Sequence, residues 1–173
     1  MPTIVTHAMV PLAAAFALGS QRVPGRLALV GAVLAMLPDA DVLGFKLGIA
    51  YADSWGHRGA SHSLVFAAAL ATLLAAGWRD FRNRRAWFFL FLAAASHGLL
   101  DMLTDGGLGV ALFWPIETAR HFFSIAPIRV SPIGEGFFSA RGLETVWSEL
   151  IWVWLPVAVM AFTARVMMRS RAS

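Results

Sequence analysis

Apolar blocks close to the length of a membrane helix alternate with short polar segments along the chain. The pattern predicts five membrane helices, at residues 4–19, 26–43, 62–78, 86–103 and 147–168. A helix needs about 20 mainly apolar residues to cross the hydrocarbon core, with a usual range of about 17–25. A sixth apolar patch, 108–116, is too short to span and is predicted to be an interfacial or re-entrant segment. The predicted fold class is therefore all-α: a polytopic transmembrane helix bundle.

The composition changes this picture little but excludes several classes of protein. Hydrophobic residues make up 58% of the 173 residues and charged residues only 14%, whereas soluble domains carry about 25% charged residues. This balance excludes a disordered chain and favours lipid as the surroundings. The chain has no cysteine, which excludes a disulfide framework and a thiolate metal site. We predict one membrane-embedded domain over residues 1–173.

Basic residues are distributed unevenly between the two sides of the predicted bundle. With five alternating spans, nine Lys and Arg residues lie on one side and five on the other. Cytoplasmic loops carry the excess of Lys and Arg, so the N-terminus is predicted outside and the C-terminus in the cytoplasm of an inner membrane. No interleaving of basic and aromatic residues points to a nucleic-acid partner. The nine are Arg22, Arg26, Arg79, Arg82, Arg84, Arg85, Arg165, Arg169 and Arg171.

Polar groups with metal-binding chemistry interrupt the apolar blocks at the predicted outer ends of four helices. They are Thr6-His7, Leu37-Pro38-Asp39-Ala40-Asp41, the segment from His57 to Ser63, and the segment from Ser96 to Asp105. A single such residue is usually a helix cap or an interfacial polar group. Ionisable residues inside apolar segments are costly, however, and tend to be functional. Four groups at one depth favour a shared extracytoplasmic site over coincidental capping.

Two pairs of residues have spacings that suit a metal ion. His97 and Asp101 are four residues apart, which places both side chains on one helix face. They can bind one divalent cation, or the carboxylate can orient the imidazole. Asp39 and Asp41 follow a proline that restricts the backbone before it, which predicts an extended turn that brings both carboxylates onto a metal.

An arginine between two histidines adds a possible phosphate contact. Arg58 lies between His57 and His62 beside a glycine turn. A guanidinium offers several donors in a fixed fork, which suits phosphate oxygens. The alternative is that Arg58 only extends toward the phosphates of bulk lipid.

These motifs together resemble the membrane-bound metal-dependent hydrolase family typified by YdjM, described as LexA-regulated. The resemblance runs in order over residues 6–115 and fades beyond them, where Glu144 is a further candidate. It rests on Thr6-His7, Pro38-Asp39-Ala40-Asp41, His57-Arg58-Gly59-x-Ser61-His62-Ser63, His97-x-x-x-Asp101-x-x-Thr104-x-x-Gly107 and Leu112-Phe113-Trp114-Pro115. What it implies is metal binding and hydrolysis.

The candidate residues fall into ligands and catalytic groups. His57 is a ligand or general acid, Arg58 holds phosphate, and Asp41 or Asp101 accepts a proton. A set of nitrogen and oxygen donors without cysteine favours zinc, and manganese or iron also fit. The predicted metal ligands are His7, Asp39, Asp41, His62, His97 and Asp101.

The predicted reaction is hydrolysis of a phosphoester on a lipid or lipid-linked substrate by a metal-activated water, whose pKa falls toward about 7. Lipid is inferred because a site at helix ends meets headgroups first. The alternative is a non-catalytic metal-binding protein or an ion or proton transporter, since intramembrane His and Asp also build such pathways. A pathway should place ionisable residues at several depths, whereas these collect at one face. A scaffold protein would leave the His and Asp residues unexplained.

Overall fold

The computed structural model of the protein describes residues 1–132 and 134–170, and all regular elements within them are helical. A 3₁₀ helix, Leu37–Leu47, continues α2, and a π-helical turn, Leu150–Trp154, joins α5 to α6. The described residues contain two isolated β-bridges and no strand. The all-α class is therefore confirmed. The α-helices are α1 (Ile4–Leu18), α2 (Gly25–Met36), α3 (Leu64–Gly77), α4 (Arg84–Asp101), α5 (Ala140–Glu149) and α6 (Leu155–Ser170).

Each predicted span coincides with a helix, but the last helix begins earlier than expected. The apolar pattern starts the fifth span at residue 147, whereas helix begins at Ala140. The intervening turns carry exposed Arg141 and Glu144, which hydropathy excludes from a span although they continue the helix. Arg171, one of the nine basic residues that predict the cytoplasmic side, lies outside the described residues.

Helix length supports fewer membrane crossings than the apolar pattern predicts. Within the described chain, two helices are long and apolar enough to cross a bilayer: Gly25–Leu47 with 23 residues and Ala140–Ser170 with 31. Helices α1 and α3 have 15 and 14 residues. At 1.5 Å per residue they extend about 21–23 Å, short of the roughly 30 Å hydrocarbon core. The five-span bundle is thus not confirmed.

Helices α1 and α4 both lie at the centre of the packing, and α4 contacts α1, α2 and α3. Helix α1 also packs on α2 and α6. The Phe89 ring of α4 packs directly on the α2 backbone at Gly31, where an added Cβ would lie 2.5 Å from the ring. The main buried cluster consists of Val23, Leu27, Leu34, Ala67, Ala71, Phe81, Ala86, Phe89, Leu90, Ala94 and Ala95.

An irregular segment after α4 covers the end of the bundle where α1 begins. The segment predicted to be interfacial or re-entrant, 108–116, belongs to this cover and contains no helix. It includes a cis peptide before Pro115. The Ala111 N–H donates to the Arg58 carbonyl at 3.0 Å, and the flanking residues Val110 and Leu112 are buried. The cover therefore packs directly on the loop that carries the His57-to-Ser63 motif.

Candidate metal centre

Five predicted metal ligands converge from four elements at the covered end of the bundle. His7 lies near the start of α1, and Asp39 lies on the 3₁₀ extension of α2. His62 ends a short 3₁₀ turn before α3, while His97 and Asp101 lie in the last turns of α4. All five residues are between 0% and 3% exposed. Helix ends that are far apart in sequence thus bring these ionisable groups into one buried cluster.

Four of these residues offer donor atoms at distances that suit one metal ion. One ligand atom from each of Asp39, His62, His97 and Asp101 lies within 4.8 Å of the others. Nε2 of His97 is 3.4 Å from Oδ1 of Asp39, and Nε2 of His62 is 3.3 Å from Oδ2 of Asp101. Four ligands at about 2.0–2.1 Å from a tetrahedral zinc ion are about 3.3–3.4 Å apart. The spacing of the donors therefore fits a divalent ion.

The hydrogen bonds of two histidines direct a ring nitrogen at this cluster. Nδ1 of His97 is 2.7 Å from the Ala35 carbonyl oxygen, and a carbonyl can only accept, so Nδ1 carries the hydrogen. Nδ1 of His62 contacts Asp41 Oδ2 at 3.2 Å and Ser61 Oγ at 3.0 Å. The two Nε2 atoms then lie 2.9 Å apart, facing the carboxylates. Metal-binding histidines typically have such a carbonyl or carboxylate partner on the other nitrogen.

In the part of the chain that the structure describes, the carboxylates of Asp39 and Asp101 have no hydrogen-bond donors. None of their four oxygens accepts a hydrogen bond of normal geometry from the described residues. Nε of Arg58 is 3.1 Å from Asp101 Oδ2, but its N–H is not aligned for a hydrogen bond. Buried carboxylates are very costly unless they are paired or bind a metal. Because these carboxylate oxygens lack hydrogen-bond partners among the described residues, the site fits a divalent cation.

His7 borders the same cluster on its other side. Its ring stacks on His97 with the centroids 3.7 Å apart. Its Nε2 lies 3.6 Å from Asp101 Oδ1 and 3.8 Å from Asp39 Oδ2, the oxygens opposite those nearest His62 and His97. Among the residues that the structure describes, neither ring nitrogen of His7 has a hydrogen-bond partner. His7 therefore extends the available donor set to five residues.

The prediction that an extended turn directs Asp39 and Asp41 onto one metal is wrong. Residues Leu37–Leu47 form a 3₁₀ helix, in which residues two apart point about 120° away from each other because there are about three residues per turn. Asp39 therefore enters the cluster, and Asp41 faces the neighbouring loop.

Asp41 organises a second group of polar side chains beside the cluster. It contacts Nδ1 of His57 at 2.6 Å, accepts a hydrogen bond from Ser61 Oγ at 2.6 Å, and accepts the backbone N–H of Arg58 at 3.2 Å. Asp41, His57 and His62 together also offer atoms close enough to hold a metal ion. The sequence motif thus supplies both the ligand His62 and an Asp–His pair next to it.

The Arg58 guanidinium, which is predicted to hold phosphate, is hydrogen-bonded to other residues of the protein. It is fully buried and has a positive φ of 63°. Nη1 donates to the Gly106 carbonyl at 2.7 Å and Nη2 to Thr104 Oγ1 at 2.8 Å. Thr104 in turn donates to the backbone carbonyl of Asp101 at 2.7 Å. These contacts position the end of α4, and the phosphate contact stays a prediction.

His62 lies before α3, and its pKa reports the charge around it. Burial by itself lowers the pKa of His62, whereas the carboxylates of Asp101 and Asp41 raise it to about 9. The neighbouring carboxylates therefore stabilise a positive charge at this position.

Sequence reasoning missed the side chain that holds the site loop in place. Arg120 donates to the carbonyl oxygens of His57 at 2.9 Å, Tyr51 at 3.0 Å and Asp53 at 3.0 Å. The Tyr51 ring packs edge-on against the His57 ring with the centroids 5.2 Å apart. No spacing in the sequence links a residue in the cover to a loop more than 60 positions earlier.

A second missed residue fixes the start of α1. Glu149 is buried and accepts hydrogen bonds from the hydroxyls of Thr3 and Thr6, each at 2.6 Å, and from the Thr3 backbone N–H. The contact joins the end of α5 to the turn of α1 that carries His7. The signal in the sequence is Thr6 beside His7, which belongs to the motif but gives no indication of its partner.

Other ionisable residues at this end lie outside the cluster. His121 pairs with Glu117 at 2.7 Å, and Arg129 pairs with Asp105 at 2.8 Å. Glu144 is exposed.

The arrangement defines a helical membrane protein with a buried His and Asp cluster, and comparison with known proteins agrees with this class. The pattern of the YdjM inner membrane protein family matches residues 1–172. The inner membrane protein YbcI of Escherichia coli (strain K12) is 48% identical over 160 residues, which cover 90% of this chain and 92% of that protein. No solved structure matches. The chain belongs to the YdjM inner membrane protein family, and the match extends well past Pro115, where the recognised motifs end.

We expect the purified protein to contain at least one divalent transition metal. His62→Ala and Asp101→Asn should each lower metal affinity by more than about tenfold, because even loss of an outer-shell partner costs about 10–100-fold. Elemental analysis of monodisperse protein measures this. His121→Ala and Asp53→Asn are matched controls, since both residues lie outside the cluster, and they should keep the metal. Equal metal content in all four variants would contradict the ligand assignment.

Proposed function

We propose that the protein is a membrane-bound hydrolase that depends on a divalent metal and cleaves a phosphoester of a lipid or lipid-linked substrate. The observation that carries the proposal is the buried pair of carboxylates, Asp39 and Asp101. Their oxygens accept no hydrogen bond from residues 1–132 and 134–170 and face three histidines. A donor set of this kind is costly to bury without a cation and is common where a metal is used for chemistry.

The donors favour zinc, with manganese and iron as the alternatives. His7, His62 and His97 would supply nitrogen, and Asp39 and Asp101 would supply oxygen, in a chain without cysteine. A divalent ion held by these residues would act as a Lewis acid and lower the pKa of a bound water toward about 7.

The contact between His57 and Asp41 supports a role for this pair in moving a proton beside the cluster. Nδ1 of His57 is bound to Asp41 Oδ1 at 2.6 Å, which leaves Nε2 to donate to a leaving group or to accept from water. Asp41 is itself fixed by Ser61. We assign His57 as the general acid or base and Asp41 as the residue that orients it. Arg58, which faces Asp101, holds that carboxylate and contributes positive charge near the phosphate.

An apolar groove that leads to the cluster supports a lipid substrate. Its volume is about 420 Å³, and Asp39 is the cluster residue in its wall. A lipid whose acyl chains occupy this groove would have its headgroup near the Asp39 carboxylate. The apolar lining includes Ile4, Val33, Met36, Leu37 and Leu43.

The arrangement of buried charge favours hydrolysis over transport. A transport pathway needs ionisable groups at several depths. All buried charged or histidine side chains in the described part of the chain lie at the covered end, and the main buried cluster between it and the other end is apolar. These buried charged and histidine side chains are His7, Asp39, His57, Arg58, His62, His97, Asp101 and Glu149.

The proposed topology has five membrane passages, with the N-terminus and the metal centre outside and the C-terminus in the cytoplasm. Eight of the nine arginines that predict the cytoplasmic side lie at helix ends or in loops opposite the metal centre. Helices α1, α3 and α4 would be short passages. The positive-inside rule supports this direction.

A His57→Gln variant should keep its metal and lose hydrolysis. Removing a general acid or base costs about 10²–10⁴-fold in rate, and His57 is not part of the five-residue donor set. The test is release of phosphate or headgroup from phospholipids and isoprenoid phosphates in mixed micelles, with metal content measured on the same preparations. His121→Gln is the control. Absence of turnover by metal-loaded wild type across these substrates would overturn the hydrolase proposal, and unchanged turnover in His57→Gln would remove His57 from the mechanism.

Labelling of single cysteines tests the proposed orientation. The chain has no cysteine, and both Gln21 and Ala52 are exposed on opposite ends of the bundle. In intact spheroplasts, an impermeant thiol reagent should label Ala52→Cys and leave Gln21→Cys unlabelled until the membrane is permeabilised. The reverse pattern would place the metal centre in the cytoplasm.

A further inference from the structure

We propose that α1 and α4 form a binding site for an anionic phospholipid at the basic end of the bundle, separate from the metal centre. Arg85 precedes His97 on α4 by 12 residues, or about 18 Å along a helix. A lipid bound here would therefore not be the lipid that is hydrolysed, and its site does not depend on the proposed reaction.

The first half of the site is an apolar groove between the two helices. Its volume is about 470 Å³, within the range of about 300–1,000 Å³ for ligand pockets. Val10, Ala14 and Leu18 of α1 form one wall, and Phe88 and Leu92 of α4 form the other. The described residues provide only apolar side chains along this length, which suits an acyl chain.

The second half is a group of arginines at one end of the groove. Arg22, Arg84 and Arg85 line the groove there and are exposed. Arg84 and Arg85 have no acidic partner in the described residues, and the contact of Arg22 is with the sulfur of Met168 at 3.2 Å. Guanidinium groups bind phosphate through two parallel hydrogen bonds. Their charge therefore complements the phosphate of a lipid whose chain occupies the groove.

A polar cavity adjoins the groove at the same arginines. Its volume is about 400 Å³, and it shares Arg22 and Arg85 with the apolar groove. Among the described residues that line it, one is acidic, Asp80, and this residue already pairs with Arg26 at 3.5 Å. Arg22 and Arg85 thus lie between an apolar compartment and a polar one. An amphiphile with a phosphate between its chain and its headgroup matches this order.

The test is native mass spectrometry of delipidated protein in a neutral detergent, with phosphatidylglycerol and phosphatidylcholine of equal chain length. Wild type should bind phosphatidylglycerol in preference. The Arg22→Ala/Arg85→Ala variant should bind it roughly 10- to 30-fold more weakly, since each basic residue contributes about one kcal/mol toward an anionic lipid. Arg79→Ala/Arg169→Ala is the matched control, because it removes the same charge from the same end outside the groove.

A further arm separates a lipid from a headgroup alone. Ala14→Phe fills the groove and leaves the arginines, so it should weaken lipid binding, and glycerol phosphate without acyl chains should bind wild type far more weakly than the lipid. Leu92→Trp, at an exposed position, fills the same groove if Ala14→Phe does not fold. Equal loss in both arginine double variants, or lipid binding that neither groove-filling variant lowers, would overturn the proposal. Metal content should be unchanged in Arg22→Ala/Arg85→Ala.

Discussion

The carboxylates of Asp39 and Asp101 are the constraint on which the rest of the structure depends. Both are buried, and none of their oxygens accepts a hydrogen bond of normal geometry from the described residues. Each buried ion costs several kcal/mol unless it is compensated. Arg58 supplies one positive charge for two negative ones, so a divalent cation held by the histidines and the two carboxylates would balance the charge. The carbonyl of Ala35 fixes His97 in the tautomer that this requires.

The same constraint explains why the centre lies at the end of the bundle beneath a cover. Ionisable groups in the middle of a bilayer are costly, and helices that end at polar turns, such as α1 and α3, are shorter than a full membrane span. The irregular segment after α4 excludes water from the cluster, and Arg120 ties it to the loop that carries His57. Under the proposed function, the apolar groove at Asp39 would be the route by which a lipid reaches the cluster.

The sequence alone predicted what depends on local spacing. Apolar blocks located the helices, and the i,i+4 spacing placed His97 and Asp101 on one face of α4, where Nε2 and Oδ2 lie 3.9 Å apart. The sequence could not show that the side chains of Asp39 and Asp41 point in different directions. Whether this segment forms an extended turn or a 3₁₀ helix depends on its packing against neighbouring elements. Long-range partners such as Glu149 have no local signal, since they depend on how α5 and α6 meet α1.

Direct binding of one or more divalent metal ions by histidines and aspartates of this chain can be tested by one measurement. X-ray absorption at the metal edge of the purified protein measures the ligands themselves. We expect a shell of nitrogen and oxygen atoms, at about 2.0–2.1 Å if the metal is zinc, with the outer-shell scattering of at least two imidazole rings and no sulfur. A spectrum of water oxygens without imidazole scattering would contradict it, because the metal would then be bound outside the cluster.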